Sequence, residues 1–149
     1  MSEQATTVDV IRKTVSVPSP REAAFALFTE RIGDWWPRAY ALGGERTERI
    51  VLEPRPGGRV YEVETGGTEH DWGEVLACEP PERLMLSWGL NGSEVEVRFL
   101  PEAGGTRVEL EHRGWEKLED ARQRAQYDAG WDAILARFVA LASEGQAAG

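Results

Sequence analysis

The sequence has little of the residues that build covalent cross-links and metal sites. Its 149 residues include one cysteine, Cys78, and two histidines, His70 and His112. A single cysteine cannot form a disulfide within the chain, which fits a reducing compartment. Neither H-x-x-x-H nor C-x-x-C spacing occurs, so no zinc motif is present. We therefore expect a cytoplasmic protein without a bound metal or other cofactor.

Long apolar runs and an excess of basic residues are also missing. No segment approaches the roughly 20 apolar residues that cross a bilayer, and the N-terminus is too polar for a signal peptide. The 17 Lys and Arg against 26 Asp and Glu give a formal charge of −9. That charge repels phosphate groups, so we expect neither nucleic acid nor an anionic membrane surface as a partner. The lack of a long apolar run predicts no insertion into a membrane.

Recognisable catalytic motifs are absent as well. The glycine pairs lack the context of a phosphate-binding loop, no G-x-S-x-G occurs, and Cys78 precedes a Pro-Pro turn without a neighbouring base. His112, near the end of a predicted strand, is the one candidate for a proton carrier in a cavity. The alternative is a histidine at the sheet edge, bonded to backbone or water. The sequence thus favours a binding protein over an enzyme.

What the chain does contain is a series of short strands separated by turn residues. Strands are predicted over 7–17, 49–53, 59–65, 69–78, 83–89, 94–100 and 106–112, with a bulge at Gly73. A short helix at 20–29 and one further turn at 32–37 precede a loop at 38–46. Apolar residues at spacings of three and four, from Tyr127 to Leu141, predict an amphipathic helix over 117–143.

This order predicts one α+β domain in which a curved antiparallel sheet of about seven strands wraps a long C-terminal helix. The single domain spans residues 1–149, with a core at about 8–142 and flexible tails at 1–6 and 145–149. Alternation in three strands supports the arrangement, because side chains alternate faces along a strand. The covered face is predicted to carry Tyr61, Val63, Val95, Val97, Phe99, Val108, Leu110 and His112; the wet face is predicted to carry Glu62, Glu64, Glu94, Glu96, Arg98, Arg107, Glu109 and Glu111.

Aromatic rings are predicted on both facing layers, which suggests a space between the sheet and the long helix. The alternative is that these residues fill a solid core. Of Trp35 and Trp36, one ring is expected to anchor the short helix and the other to form a lid. The predicted ligand-binding residues are Trp35, Trp36, Tyr61, Val63, Trp88, Val97, Phe99, His112, Trp131, Leu135 and Phe138.

An ordered series of short motifs resembles a known family. The series is Trp35-Trp36-Pro37, Pro54-Arg55-Pro56-Gly57-Gly58, Trp72-Gly73-Glu74-Val75, Glu79-Pro80-Pro81-Glu82-Arg83-Leu84, Ser87-Trp88, Gly104-Gly105-Thr106-Arg107-Val108 and Gly130-Trp131. It is similar to bacterial proteins that resemble the C-terminal domain of the heat-shock protein 90 ATPase activator. These belong to the SRPBCC superfamily of START-like and birch-pollen-allergen-like domains.

The resemblance implies a helix-grip fold (β-α-α-β6-α) with a deep cavity between the sheet and the last helix. It implies a small hydrophobic ligand, since relatives bind lipids, sterols, polyketides or plant metabolites. The named eukaryotic protein stimulates a chaperone ATPase, so a co-chaperone-like stress-response regulator with a chaperone or other protein partner is an alternative. A cyclase- or hydrolase-type enzyme is a second alternative. Both a monomer and a homodimer remain open.

Overall fold

The computed structural model describes residues 10–88, 93–114 and 121–148, with the side chains of the last helix placed from 126 to 144. The predicted tail at 1–6 and residues 117–120 of the predicted last helix lie outside these ranges. The statements that follow concern the described residues.

The elements follow the predicted order of one strand, two short helices, six strands and one long helix. They are β1 (Ile11–Val17), α1 (Arg21–Thr29), α2 (Ile32–Trp35), the 3₁₀ turns Arg38–Tyr40 and Gly44–Arg46, β2 (Thr47–Leu52), β3 (Arg59–Glu64), β4 (Glu69–Glu79), β5 (Arg83–Trp88), β6 (Ser93–Glu102), β7 (Gly105–Arg113) and α3 (Ala121–Ala148). The helix α3 extends beyond its predicted end at 143, so the predicted tail at 145–148 is helical in its backbone. Gly145 does not stop it, since Glu, Gln and Ala on either side are good helix formers.

The seven strands form one antiparallel sheet in the order β1-β7-β6-β5-β4-β3-β2, curled into a half-barrel. Consecutive strands from β2 to β7 are neighbours because short turns connect them. The helical segment between β1 and β2 carries the chain across the sheet, which leaves these two strands at opposite edges. This confirms the helix-grip architecture. No described helix, α3 included, is both long and apolar enough to cross a membrane.

One half of the space between the sheet and α3 is filled by interlocking rings. Phe28 of α1 lies 5.8 Å from Phe99 of β6 and 5.4 Å from Phe138 of α3, between ring centroids. Trp35 lies 5.2 Å from Phe138, and its indole N–H donates to the Leu27 carbonyl over 2.8 Å. Rings that α1 and α2 insert between the two main layers therefore leave no room for a ligand here.

The outer face of the sheet is polar along β6 and β7, as the alternation predicts, and Val95, Val97, Phe99, Val108, Leu110 and His112 are buried on the inner side. Glu96 is an exception to the expected wet face, because it is only 4% exposed. Its carboxylate accepts hydrogen bonds from Arg83 over 2.6 Å and from Arg113 over 2.8 Å. Burial acts to raise the pKa of Glu96, but these guanidinium contacts outweigh it and hold the pKa below its usual range.

The predicted facing of β3 is wrong for Tyr61 and Glu62, whereas Val63 is buried as predicted, at 5% exposure. Val60 and Glu62 point inward and are almost fully buried. Tyr61 therefore points outward by strand alternation, where the Arg59 guanidinium stacks 4.0 Å from its ring centroid. The apolar residues of this strand allow either phase. Partners outside the strand, which local alternation cannot reveal, select the phase that buries Glu62.

A bulge in β4 lies beside Gly73, as predicted. Val60 of β3 pairs with Gly73 and Tyr61 pairs with Asp71, so Trp72 is the extra residue in β4. A bulge re-aims the side chain at its centre. Here Trp72 points inward and is only 2% exposed.

Candidate functional site

The other half of the space beneath α3 is an open cleft of about 600 Å³. It lies between α3, the inner surface of β4 and β5, and the segment 36–42 that follows α2. Its lining residues are Trp36, Ala39, Tyr40, Ala41, Leu42, Trp72, Trp88, Gln126, Tyr127, Ala129, Gly130, Trp131 and Ile134. None of these carries a formal charge, so the described walls are mainly apolar and aromatic.

Four indole rings in mutual contact form the deep wall of the cleft. Trp36 occupies the centre of this group, which we call the indole wall (Trp36, Trp72, Trp88 and Trp131). Its ring centroid lies 4.8 Å from that of Trp72, 5.6 Å from that of Trp131 and 6.3 Å from that of Trp88. The rings are tilted or edge-to-face, as aromatic pairs prefer. Four chain segments that are distant in sequence thus present one continuous aromatic surface.

Each indole N–H of this wall donates to an acceptor within the protein. The pairs are Trp36 with the Tyr40 carbonyl (3.2 Å), Trp72 with Glu62 Oε1 (2.7 Å), Trp88 with the Tyr127 hydroxyl (3.1 Å) and Trp131 with His112 Nδ1 (3.0 Å). A buried donor requires such a partner. A molecule in the cleft would therefore contact ring surfaces and edges rather than indole N–H groups.

His112 lies behind the indole wall and is fully buried. Its Nδ1 accepts the Trp131 N–H, which only a nitrogen without a proton can do. The proton of the neutral ring is therefore on Nε2, which is 2.7 Å from Ser93 Oγ. Burial lowers the pKa of His112 to about 3. The imidazole is thus a neutral support for Trp131 and does not reach the cleft.

We expect His112 to show no titration between pH 5 and 8. The folded pKa is below the ordinary value of 6.5, so the unfolded chain takes up a proton that the folded chain does not. Stability should fall as the pH drops below 6.5, by about 1.4 kcal/mol per pH unit from this group. Nitrogen-15 NMR of the imidazole checks this, and protonation near pH 6.5 in the folded protein would contradict it.

A buried carboxylate fastens the rim of the cleft to the sheet. Glu62 is fully buried and accepts hydrogen bonds from the backbone N–H groups of Leu42 (2.7 Å) and Gly43 (2.6 Å). It also accepts from the Thr47 hydroxyl over 2.9 Å and from Trp72. Burial acts to raise the pKa of Glu62, but these four donors outweigh it and hold the pKa below its usual range. An ionised Glu62 thereby holds the rim segment and one ring of the indole wall together.

The rim presents exposed apolar side chains above the cleft. Tyr40 is 46% exposed and Leu42 is 52% exposed. A Cβ atom added at Gly130 would lie 3.3 Å from Cε1 of Tyr40, so glycine allows the tyrosine ring to approach α3 closely. The rim and α3 thus meet at Gly130.

The structure brings three of the predicted ligand-binding residues to the cleft: Trp36, Trp88 and Trp131. Trp35, Val97, Phe99, Leu135 and Phe138 belong to the core and do not line the cleft, His112 lies behind the wall, Val63 is buried away from the cleft, and Tyr61 faces outward. Of the tryptophan pair, Trp35 is the anchor and Trp36 lines the cleft. The prediction missed Trp72, Tyr40, Leu42 and Tyr127; the bulge at Gly73 was the available signal for Trp72.

No group of three or more His, Cys, Asp or Glu side chains comes together as a metal site would require, within the ranges that the structure describes. The chemistry that the cleft offers is therefore that of aromatic surface, with the hydroxyls of Tyr40 and Tyr127 and the amide of Gln126 as polar groups of lining side chains.

Comparisons with known proteins identify relatives along nearly the whole chain. Solved structures similar to it include the anthrahydroquino-γ-pyrone synthase Txn09, with 33% identity, a TM-score of 0.60, and coverage of 87% of this chain and 94% of the synthase. The self-sacrificing resistance protein CalC from Micromonospora echinospora has 28% identity, a TM-score of 0.71, and coverage of 91% and 95%. A further structure, from Aeromonas hydrophila, has 24% identity, a TM-score of 0.60, and coverage of 85% and 88%.

No curated protein matches the chain. The Aeromonas hydrophila protein is described as AHSA1-like, the same family name that a family model assigns to the present chain. That model, described as Activator of Hsp90 ATPase homolog 1-like protein, matches residues 18–143, which include the helices, the sheet from β2 onward and most of α3. The chain belongs to the Activator of Hsp90 ATPase homolog 1-like family.

Proposed function

We propose that this protein binds a flat, apolar aromatic small molecule in the cleft beneath α3. The observation that carries the proposal is the indole wall, because four contacting tryptophans line a space whose described lining residues are all uncharged. Large rings can be used to fill a core, and Trp35 and Phe138 do so in this molecule. The four rings of the indole wall are also buried, at 2–6% exposure, but unlike Trp35 and Phe138 they line the cleft.

The dimensions of the cleft suit such a ligand. A volume of about 600 Å³ lies within the roughly 300–1,000 Å³ of typical small-molecule sites. Apolar burial supplies about 25 cal/mol per Å² of surface removed from water, so contact of a three-ring molecule with the wall supplies much of the binding free energy. The rim residues Tyr40 and Leu42 would gain contacts that water now occupies. Ring stacking would then orient the ligand.

One relative supports this choice of ligand. Txn09, at 33% identity, is named as the synthase of an anthrahydroquino-γ-pyrone, and that name describes a fused-ring aromatic compound. A cleft built from stacked indoles suits a molecule of that shape. The similarity motivates the ligand class, and the geometry of the indole wall carries the proposal.

Replacing Trp36 by phenylalanine should weaken binding of a flat three-ring compound, such as phenanthridine, about tenfold. The reason is that Trp36 contacts all three other rings of the wall, and an aromatic contact of this kind contributes about 0.5–1.5 kcal/mol. Isothermal titration calorimetry measures the dissociation constant directly.

The matched control is its neighbour. Trp35→Phe removes the hydrogen bond to the Leu27 carbonyl and loosens the packed core; its ring contacts Trp36 at 5.9 Å between centroids but does not line the cleft. We expect this variant to lose stability and to keep its affinity. Equal affinity for the wild type and Trp36→Phe, or no binding of any flat aromatic compound by the wild type, would contradict the proposal.

An enzyme is the second candidate, and the identity to a named synthase favours it. Its described cleft lining offers hydroxyl and amide side chains but neither carboxylate nor imidazole. A protein-interaction role is suggested by the family description alone. Incubation of the purified protein with a cyclisable aromatic precursor tests the first, and an ATPase assay on the cognate chaperone tests the second. Formation of a cyclised product would support the enzyme, and a change in ATPase rate would support the protein-interaction role.

A further inference from the structure

The charges around the cleft favour one charge state of the ligand. This inference rests on the proposed function, because it concerns the same cleft. An indole has an electron-rich face that attracts cations and electron-poor rings. The indole wall provides four such rings around one space. All four N–H groups donate to acceptors within the protein, and one of these acceptors is a carboxylate.

A negative charge lies directly behind one ring of the wall. The Trp72 N–H donates to Glu62 over 2.7 Å, and Glu62 also accepts from two backbone N–H groups and the Thr47 hydroxyl, a set of partners that favours the ionised form. Hydrogen-bond donation to an anion increases the electron density of the indole. The Trp72 ring, which lines the cleft, is therefore more electron-rich because of the Glu62 carboxylate, although Glu62 itself is fully buried.

The other three rings of the wall are polarised in the same direction. Each donates its N–H to a neutral oxygen or nitrogen acceptor within the protein. His112, behind Trp131, has no second proton, because its Nδ1 is the acceptor. The imidazole therefore adds no positive charge to the wall.

Two described cations, on β1 and on the segment after α2, bind partners within the protein and do not line the cleft. The Arg38 guanidinium donates to the backbone carbonyls of Gly33, Trp36, Thr47 and Glu48, and Arg38 is not among the lining residues. Lys13 of β1 binds two carboxylates of α3, those of Asp128 and Asp132.

We propose that the cleft selects flat aromatic molecules that carry a positive charge, such as N-alkylated or protonated nitrogen heterocycles, over neutral molecules of the same shape. Anionic molecules of that shape bind weakest. The indole faces supply cation–π attraction, and the Glu62 carboxylate behind Trp72 supplies the field.

Three ligands of one size test the order: N-methylphenanthridinium, phenanthridine and phenanthrene-9-carboxylate, each titrated into the intact protein by calorimetry at pH 7.5. We expect the cation to bind about tenfold more tightly than the neutral compound, or about 1.4 kcal/mol, which lies between an exposed and a desolvated cation–π contact. The carboxylate should bind more weakly than both. Equal binding of cation and neutral compound, or tightest binding of the anion, overturns the charge preference and leaves the proposed function standing.

If none of the three compounds binds, the proposed function fails and the charge preference fails with it. The source of the preference is tested by Glu62→Gln, which removes the charge and keeps an oxygen acceptor for Trp72. We expect the ratio of the two dissociation constants, neutral to cationic, to fall several-fold. Glu48→Gln, on an exposed residue, makes the same change in net charge and should leave the ratio unchanged. An unchanged ratio in Glu62→Gln would exclude the carboxylate as the source.

Discussion

Replacing Phe138 by alanine is expected to lower the free energy of unfolding by about 3–5 kcal/mol, the usual loss when a fully buried ring is removed. Phe138 is fully buried, and its ring contacts Phe28 of α1 and Trp35 of α2 at 5.4 Å and 5.2 Å between centroids. Its removal leaves a cavity where all three helices meet. Urea denaturation followed by circular dichroism measures the change.

The same variant separates the packed half of the interior from the open half. Phe138 does not line the cleft, so the affinity for a flat aromatic ligand should be retained in the fraction that is folded. Arg137→Ala, one residue away on the exposed side of α3, is the control and should change stability by less than about 0.5 kcal/mol. A small loss of stability in Phe138→Ala would mean that α3 is not docked on these rings.

Replacing Glu62 by alanine should cost about 3–4 kcal/mol, because two buried donors (the Thr47 hydroxyl and the Trp72 indole) and two part-buried amides lose one shared acceptor, and each unsatisfied buried donor costs about 1–3 kcal/mol. Release of the rim lets some of them reach water, which keeps the sum below the maximum. Hydrogen exchange should quicken at the amides of Leu42 and Gly43, which donate to this carboxylate. Glu48→Ala, on an exposed residue, should change neither quantity.

The contribution of Glu62 should also depend on pH in a defined direction. Its folded pKa is below the ordinary value of 4.5, so the folded state favours the ionised form. The stability it contributes is then present above pH 4.5 and is lost as the pH falls through the folded pKa. Subtraction of the profile of Glu62→Gln isolates this group from His112. A Glu62 that protonates above pH 4.5 would show that the four hydrogen bonds do not outweigh burial.

The architecture could be predicted because several independent patterns agree. Alternation in β6 and β7 requires one covered face, and the spacing from Tyr127 to Leu141 supplies an amphipathic helix to cover it. Short turns then leave few ways to order the strands. The ordered family motifs indicated the same layout.

The cleft was harder to predict, because its walls depend on contacts between distant segments. The facing of β3 is decided by Glu62 and its partners in the rim and β4, up to 20 residues away. Which rings fill the interior depends on α1 and α2, whose Phe28 and Trp35 occupy the space beside Phe138. The positions of the aromatic residues in the sequence therefore could not separate the rings that fill the core from the rings that line the cleft.

The rim is also positioned by contacts between segments that are distant in the sequence. Residues 38–46 were predicted as a loop from glycine content, and the structure has two 3₁₀ turns there that bring Tyr40 and Leu42 over the cleft. Neither turn has a side-chain cap. Their position follows from the hydrogen bonds to Glu62, a residue whose charge had indicated a place in solvent.

The measurement that tests the central claim most directly is fluorine-19 NMR of protein labelled with 5-fluorotryptophan, with phenanthridine added. Single Trp→Phe variants assign the signals. We expect the signals of Trp36, Trp72, Trp88 and Trp131 to shift on addition, and that of Trp35, which contacts Trp36 but does not line the cleft, to shift least. If Trp35 shifts and the four wall residues do not, or if no signal moves at saturating ligand, the cleft is not the binding site.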